Sequence, residues 1–160
     1  MQSKPRVGIV GVGNMGAPMA RNVAKGGHAV VLFDLNSAAL DPFRHEKGFA
    51  VAESLGDLGR QSDIVITMLP NSAVVRAAVM GSAKDEGIAR GLVSRKAATP
   101  SCPAIIIDMS SSYALDTRKL GAEPPPNGVE AGGDVGTSDI VTMCRARAPC
   151  RRAGGTSWRP

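Results

Sequence analysis

The sequence predicts an α/β domain in which helices cover both faces of a mostly parallel sheet. Short apolar segments rich in β-branched residues, such as 63–69 (DIVITML), alternate with segments of helical periodicity. Apolar segments that lack an alternating polar face are typical of parallel strands buried on both sides. The helices between them supply that cover, so a doubly wound architecture is the expected fold class.

The predicted elements follow one another at short intervals as far as about residue 123. Strands are expected at 6–10, 29–33, 49–51, 63–69 and 105–108, and helices at 14–25, 36–45, 55–61, 72–80 and 113–121. Glycines and prolines end several of these segments, because they tolerate or impose backbone conformations that helices and strands exclude. The stretch 91–103 is polar and is expected to be an unusually long connection.

The composition of the chain changes from residue 124 onward. Three prolines at 124–126 interrupt what should be a continuing helix, and glycine pairs and arginines without apolar periodicity follow. We therefore expect one folded domain over residues 1–123 and an irregular tail over residues 124–160.

The net positive charge of the chain is carried by residues 140–160, at the end of this tail. The formal net charge is +5, and five arginines follow Asp139, the last acidic residue. Residues 1–139 carry no net charge, so nucleic acid is not an expected partner. A tail that binds nucleic acid through its arginines stays an alternative to a merely solvated tail. Aromatic residues make up 3% of the chain, which argues against stacking platforms for single-stranded nucleic acid.

The three cysteines indicate neither a metal site nor a disulfide scaffold. Cys102, Cys144 and Cys150 form no CxxC pair and no cluster with histidine. Their odd number favours a reducing compartment, and we expect a cytoplasmic protein. The apolar run near the N terminus is too short and glycine-rich for a signal or membrane segment, so no membrane association is expected.

Residues 11–16 (GVGNMG) match the pattern G-x-G-x-x-G between the first predicted strand and helix. Gly11 permits the tight turn, Gly13 lets a pyrophosphate approach the backbone, and Gly16 lets helix and strand pack closely. The helix N terminus offers unpaired N–H groups to the phosphates. Asp34 ends the second predicted strand, where its carboxylate can accept hydrogen bonds from ribose hydroxyls. The combination predicts a Rossmann-like dinucleotide-binding unit.

The cofactor expected here is NAD. A carboxylate at Asp34 would repel the 2′-phosphate of NADP, and Leu35 supplies no cation beside it, so NADP is the second choice. Flavin dinucleotides share the glycine pattern and are the main competitor. The alternative without a ligand is a tight turn with Asp34 as a solvated strand end. The residues expected to contact the cofactor are Gly11, Val12, Gly13, Asn14, Met15, Gly16 and Asp34.

Three motifs in order resemble the β-hydroxyacid dehydrogenases, which include 3-hydroxyisobutyrate dehydrogenase and tartronate semialdehyde reductase, with 6-phosphogluconate dehydrogenase more distant. Residues 11–22 (GVGNMGAPMARN) resemble the family's opening, 63–70 (DIVITMLP) its fourth strand and Leu-Pro turn, and 108–112 (DMSSS) its D-x-S-T segment. The resemblance covers about residues 7–121. It implies hydride transfer between a nicotinamide cofactor and a small 3-hydroxy acid.

The resemblance also nominates residues beyond the glycine-rich segment. Hydroxyls that follow the carboxyl end of a strand lie where α/β folds bind ligands, although 110–112 could equally cap the next helix. By resemblance, Ser110 is a candidate for contact with the substrate carboxylate. The candidates for contact with the cofactor are Leu69, Pro70, Val74 and Ser111.

Several segments that the resemblance implies are not found in this sequence. Relatives continue with a D-A-P-V-S-G-G segment, a helix that carries the catalytic lysine in a K-x-x-x-N context, and an all-helical domain that closes over the substrate. We therefore assign no catalytic residue, and we expect a chain that binds cofactor but is weakly active or inactive. A break in the reading frame near residue 123 would explain the change. A genuine divergent tail, or a catalytically silent dinucleotide-binding module, is the alternative.

Overall fold

Six strands form one sheet in the computed structural model, which describes residues 4–82, 85–98, 104–113, 115–116, 119–120 and 140–142. The strands are β1 (Val7–Val10), β2 (Val30–Phe33), β3 (Phe49–Val51), β4 (Ile64–Thr67), β5 (Ile105–Asp108) and β6 (Ile140–Thr142). Every neighbouring pair is parallel, in the order β3-β2-β1-β4-β5-β6. The chain builds outward from β1 to β3 and then crosses to β4, which is the strand order of a doubly wound fold. The predicted fold class is confirmed.

Five α-helices connect the strands in the described part of the chain. They are α1 (Gly16–Lys25), α2 (Ser37–Leu40), α3 (Leu55–Gln61), α4 (Ser72–Met80) and α5 (Ile88–Ala98), and a 3₁₀ turn (Asp41–Phe43) follows α2. Four elements, β3, α3, α4 and β5, have the predicted bounds. Of the helix predicted at 113–121, only residues 115–116 and 119–120 have a described helical backbone, and most of the rest lies outside the described residues.

Two apolar clusters cover the two faces of the sheet. All four residues of β1 are buried, and Ile9 and Val10 contribute to opposite clusters because successive side chains alternate across a strand. The first cluster packs against α1 and includes Ala20 and Phe43. The second cluster, which lies against α3, α4 and α5, includes Val10, Val31, Leu58, Val65, Val75, Val79, Ile88, Leu92 and Ile106.

The prediction of a long polar connection over residues 91–103 is wrong for residues 91–98, which belong to α5. Helix α5 contributes only two large, fully buried apolar side chains, Ile88 and Leu92, so its hydrophobic periodicity is weak in the sequence. The helix packs against α3 through glycines instead. A Cβ at Gly91 would lie 3.0 Å from the carbonyl carbon of Gly56, and one at Gly59 would lie 3.0 Å from the Cα of Gly91. Glycine lets the two backbones approach, and hydrophobic patterns do not register such a contact.

Three residues from the segment expected to be irregular form β6. Ile140, Val141 and Thr142 are all β-branched, which favours an extended backbone, and they pair with β5. The remainder of residues 121–160 lies outside the described residues. The division of the chain at residue 123 stays a prediction.

Candidate functional site

The predicted site residues meet at the carboxyl-terminal edge of the sheet. The glycine-rich segment 11–16 follows β1, Asp34 follows β2, residues 69–70 follow β4, and residues 110–111 follow β5. Strands β1 and β4 are the neighbours between which the strand order changes direction. Open α/β sheets bind ligands at this switch point, so the position is the one that the sequence predicts.

Gly11 and Gly16 are explained by packing within the protein. Gly11 has φ of +90°, a region that side-chain-bearing residues rarely adopt, and a Cβ there would overlap the carbonyl of Met68. A Cβ on Gly16 would overlap the carbonyl oxygen of Gly11 and lie 2.9 Å from the carbonyl carbon. These two glycines therefore allow the turn and the close approach of helix to strand, as predicted.

Gly13 is explained by neither of these constraints. Its φ is not positive, and no heavy atom of the described residues lies within 4 Å of where its Cβ would be. The space beside its backbone is open and would be filled by a side chain. A glycine at a position where the described residues do not require one fits a site where a ligand approaches the backbone.

The N terminus of α1 adjoins this open space. No side chain caps it at Met15, and its first turn contains no acidic residue. The side chains of Asn36, Ser54 and Asn71, in contrast, cap α2, α3 and α4. The Ala17 N–H donates to the Gly13 carbonyl over 3.0 Å and Pro18 has no N–H, so the start of α1 offers an anion chiefly its partial positive charge and the N–H of Gly16. A helix N terminus without a side-chain cap is the arrangement that binds pyrophosphate in dinucleotide-binding folds.

Asp34 holds the two neighbouring loops together. Its Oδ2 accepts a hydrogen bond of 2.7 Å from the backbone N–H of Val12, and its Oδ1 accepts one of 2.8 Å from that of Asn36. The carboxylate is half-buried. Each oxygen keeps a lone pair for a further donor. The carboxylate is therefore fixed beside the glycine-rich segment in a position to accept hydrogen bonds from a ribose.

A cavity of about 270 Å³ opens between the end of β2 and helix α4. Its volume is slightly below the range of pockets for whole drug-sized ligands, roughly 300–1,000 Å³, so it suits one end of a dinucleotide. Leu69 and Val74 line it, whereas Pro70 is exposed and is not among the lining residues, and contact of these residues with the cofactor stays a prediction. The lining residues are Val10, Gly11, Phe33, Asp34, Leu35, Leu55, Leu69, Val74, Ala77, Ala78, Gly81, Ser82, Asp85 and Glu86.

A buried polar network joins the ends of β4 and β5. The Thr67 hydroxyl donates to Asp108 Oδ1 over 2.9 Å, and the backbone N–H of Ser110 donates to the same oxygen over 3.0 Å. Asp108 Oδ2 is buried and has no hydrogen-bond partner among the described residues. Neither Thr67 nor Asp108 is among the site residues predicted from the sequence. Their signal was a polar residue at the end of each of two adjacent strands, and their pairing depends on the register Thr67↔Asp108.

Ser110 is part of this network. Its side chain is buried, and its Oγ accepts a hydrogen bond of 2.8 Å from the backbone N–H of Leu69. Among the described residues the hydroxyl proton has no acceptor, so it can be donated to a ligand. Ser111, the other candidate in this segment, is exposed. Two residues later, the backbone N–H of Tyr113 donates to Ser72 Oγ over 2.7 Å. The serine segment is thereby held against the turn that follows β4, and substrate contact by Ser110 stays a prediction.

The described residues contain no group of three His, Cys, Asp or Glu side chains that could bind a metal ion. None of the helices in the same part of the chain has the length and apolar character that crossing a membrane requires.

Comparison with known proteins identifies the family. The sequence profile of the NAD-binding domain of 6-phosphogluconate dehydrogenase matches residues 6–137. A 3-sulfolactaldehyde reductase of Escherichia coli is 35% identical over 124 residues, which are 76% of this chain and 37% of that protein. The mitochondrial 3-hydroxyisobutyrate dehydrogenase of Rattus norvegicus is 35% identical over 125 residues, 76% of this chain and 35% of that protein.

A solved structure agrees with these relatives. The 3-hydroxyisobutyrate dehydrogenase of Mycobacterium tuberculosis, determined with L-serine, superposes with a TM-score of 0.56 at 28% identity. The match covers 86% of this chain and 38% of that one, so the chain spans little more than a third of the length of these relatives. The chain belongs to the family of the NAD-binding domain of 6-phosphogluconate dehydrogenase, and its relatives include the 3-hydroxyisobutyrate dehydrogenases that its motifs resemble.

Proposed function

We propose that this chain is the cofactor-binding part of an oxidoreductase that transfers a hydride between NAD and a small 3-hydroxy acid. The observation that carries the proposal is the open backbone at Gly13, which lies between the uncapped N terminus of α1 and the carboxylate of Asp34. A pyrophosphate would lie on the helix N terminus, and the adjoining ribose would donate hydrogen bonds to Asp34.

The lining of the cavity favours NAD over NADP. Asp34, Asp85 and Glu86 place carboxylates on it, and it contains no lysine or arginine among the described residues. A 2′-phosphate beside Asp34 would bring two like charges together in a partly desolvated site, where repulsion is poorly screened. In dinucleotide-binding folds that take NADP, an arginine near this position accommodates the 2′-phosphate.

The names of the relatives support a small anionic substrate. 3-Hydroxyisobutyrate and 3-sulfolactaldehyde are both short molecules with an acid group near an oxidisable or reducible carbon. The bound nicotinamide supplies the hydride chemistry. The chain's own residues would hold the dinucleotide, and residues 69–70 and 110–111, which follow β4 and β5, are the candidates for contact with its nicotinamide end and the substrate.

No general acid or base is assigned to the chain. The cavity lining contains no histidine or lysine among the described residues, and the 160-residue sequence has no lysine after Lys119. We therefore expect the 160-residue polypeptide to bind NAD without turning over a 3-hydroxy acid.

The test is a titration of NADH and NADPH into the 160-residue protein, followed by nicotinamide fluorescence. NADH should bind at least about tenfold more tightly than NADPH, and Asp34→Asn should remove most of this difference. Asp41→Asn is a matched control, because Asp41 pairs with Arg44 on the surface outside the site. Equal affinity for both cofactors would contradict the preference for NAD, and absence of binding by the folded protein would contradict the proposed function.

A second measurement concerns turnover. The same protein is incubated with NAD⁺ and 3-hydroxyisobutyrate, and the absorbance of reduced nicotinamide is followed. We expect none above the protein-free control. Sustained formation of NADH would show that the 160 residues contain a catalytic group that the account lacks.

A further inference from the structure

The cavity beside Asp34 is mostly apolar, with polar side chains at two places. One is Asp34 itself, next to the glycine-rich segment. The others, Ser82, Asp85 and Glu86, belong to the turn between α4 and α5. The apolar lining comes from one face of α4, where Val74, Ala77, Ala78 and Gly81 recur at helical spacing, and from other elements that contribute Phe33, Leu35 and Leu55. Such a slot suits a planar aromatic base.

The described residues of the turn that follows α4, 81–82 and 85–87, contact one another and the end of the helix. The backbone N–H of Ser82 donates to the carbonyl of Asp85 over 2.8 Å, and the N–H of Asp85 donates to Ser82 Oγ over 3.0 Å. Gly81 has φ of +75°, and a Cβ on Gly87 would lie 2.5 Å from the carbonyl oxygen of Val79. Glycine is therefore required at positions 81 and 87, and the backbone contacts that it permits hold Asp85 and Glu86 at the cavity.

The two carboxylates of the turn differ in their partners. Glu86 is paired with Arg60 through Oε2, and its Oε1 lies 3.5 Å from Arg90 Nε. Asp85 is exposed, and within the described residues it makes no ion pair; its Oδ2 has only the Ser82 hydroxyl at 3.5 Å. Asp85 is consequently the carboxylate of this turn that has acceptor capacity left for a ligand.

We propose that Asp85 selects the base of the dinucleotide by accepting a hydrogen bond from the exocyclic amine of adenine. This inference rests on the proposed function, which places the ribose at Asp34. In adenosine the amine lies on the ring edge opposite the bond to ribose, so it points away from Asp34 toward the turn that carries Asp85. Hypoxanthine has a carbonyl oxygen in place of this amine and its nearest donor at ring N1, so a carboxylate placed to accept from the amine faces an acceptor instead.

The test compares NAD⁺ with nicotinamide hypoxanthine dinucleotide, which differs from it at this edge. Both are titrated calorimetrically into the 160-residue protein and two variants. The wild-type protein should bind NAD⁺ about tenfold more tightly, as expected for a hydrogen bond to a charged acceptor. Asp85→Asn should bring the ratio to about twofold or less, because an amide can donate to the carbonyl as well as accept from the amine. Glu53→Gln makes the same chemical change at an exposed carboxylate that does not line the cavity, and it should keep the wild-type ratio.

The outcomes separate this inference from the proposed function. A wild-type ratio near one, or a tenfold ratio that persists in Asp85→Asn, overturns base selection by Asp85 while leaving dinucleotide binding in place. An equal loss of both ligands in Asp85→Asn also overturns it, since the residue would then only support the turn. If the folded wild-type protein, checked by circular dichroism, binds neither dinucleotide, the proposed function itself fails.

Discussion

The contrast between Gly13 and Gly16 yields a prediction in which stability and binding separate. Both glycines belong to the same motif, yet a methyl group added to each meets different surroundings. At Gly16 it would overlap the backbone carbonyl of Gly11, which cannot move aside by changing a rotamer. At Gly13 it would meet no atom of the described residues. The two alanine variants should therefore fail in different ways.

The magnitudes follow from these contacts. Gly16→Ala should lower the free energy of unfolding by about 3 kcal/mol or more, because overpacking against backbone is relieved only by shifting α1. For a chain of this size that corresponds to a fall of about 6–12 °C in Tm. Gly13→Ala should leave stability unchanged or raise it by up to about 1 kcal/mol, because alanine restricts the unfolded chain and no positive φ is required. Its affinity for NADH should fall at least about tenfold, since the methyl group occupies the space assigned to pyrophosphate.

The assay pairs thermal unfolding by circular dichroism with NADH titration by fluorescence on the same preparations. Wild-type affinity in Gly13→Ala would refute the assignment of that open space to the cofactor. A loss of stability in Gly13→Ala equal to that of Gly16→Ala would show that Gly13 is kept for packing.

Two further predictions concern the frame that supports the site. Thr67→Val preserves the shape of the side chain but removes the donor to the buried Asp108, so urea unfolding should show a loss of about 1–3 kcal/mol in the free energy of unfolding. The control is Ser94→Ala, which removes an exposed hydroxyl and should cost less than about 0.5 kcal/mol. Equal losses in the two variants would contradict the role of the buried network. Gly91→Ala should cost about 2 kcal/mol or more through its overlap with the Gly56 carbonyl, and a neutral result would contradict the packing of α5 on α3.

The order of strands and helices was predictable because the type of each element depends mainly on its own local sequence. The run 64–67 is rich in β-branched residues, which favour strands, it is apolar enough to be buried, and Pro70 lies shortly after its end. Helix α5 was missed because its packing depends on Gly91 meeting Gly56, and neither glycine carries a hydrophobic signal. Contacts between backbones of distant segments leave little trace in a single sequence.

The same distinction applies to the site. The glycine-rich segment and Asp34 are joined by a short strand–helix–strand unit, so their meeting could be predicted from spacing. The turn that carries Asp85 lies at the cavity because of the direction in which α4 runs from the end of β4. That direction depends on tertiary packing, and no local sequence pattern indicates it. The pair formed by Thr67 and Asp108 depends on strand register, which becomes visible only once β4 and β5 are aligned.

The most direct test of the account is a titration of isotope-labelled 160-residue protein with NAD⁺, followed by backbone amide NMR. We predict that the amides of residues 11–16, of Asp34 and Leu35, and of the α4 face from Val74 to Gly81 shift in a saturable manner. Amides around Asp63 and Arg95, whose ion pair lies beyond the opposite end of β4, should not shift. Saturable binding that leaves residues 11–16 and Asp34 unmoved, or no binding by the folded protein, would contradict the assignment of this edge of the sheet to a nicotinamide dinucleotide.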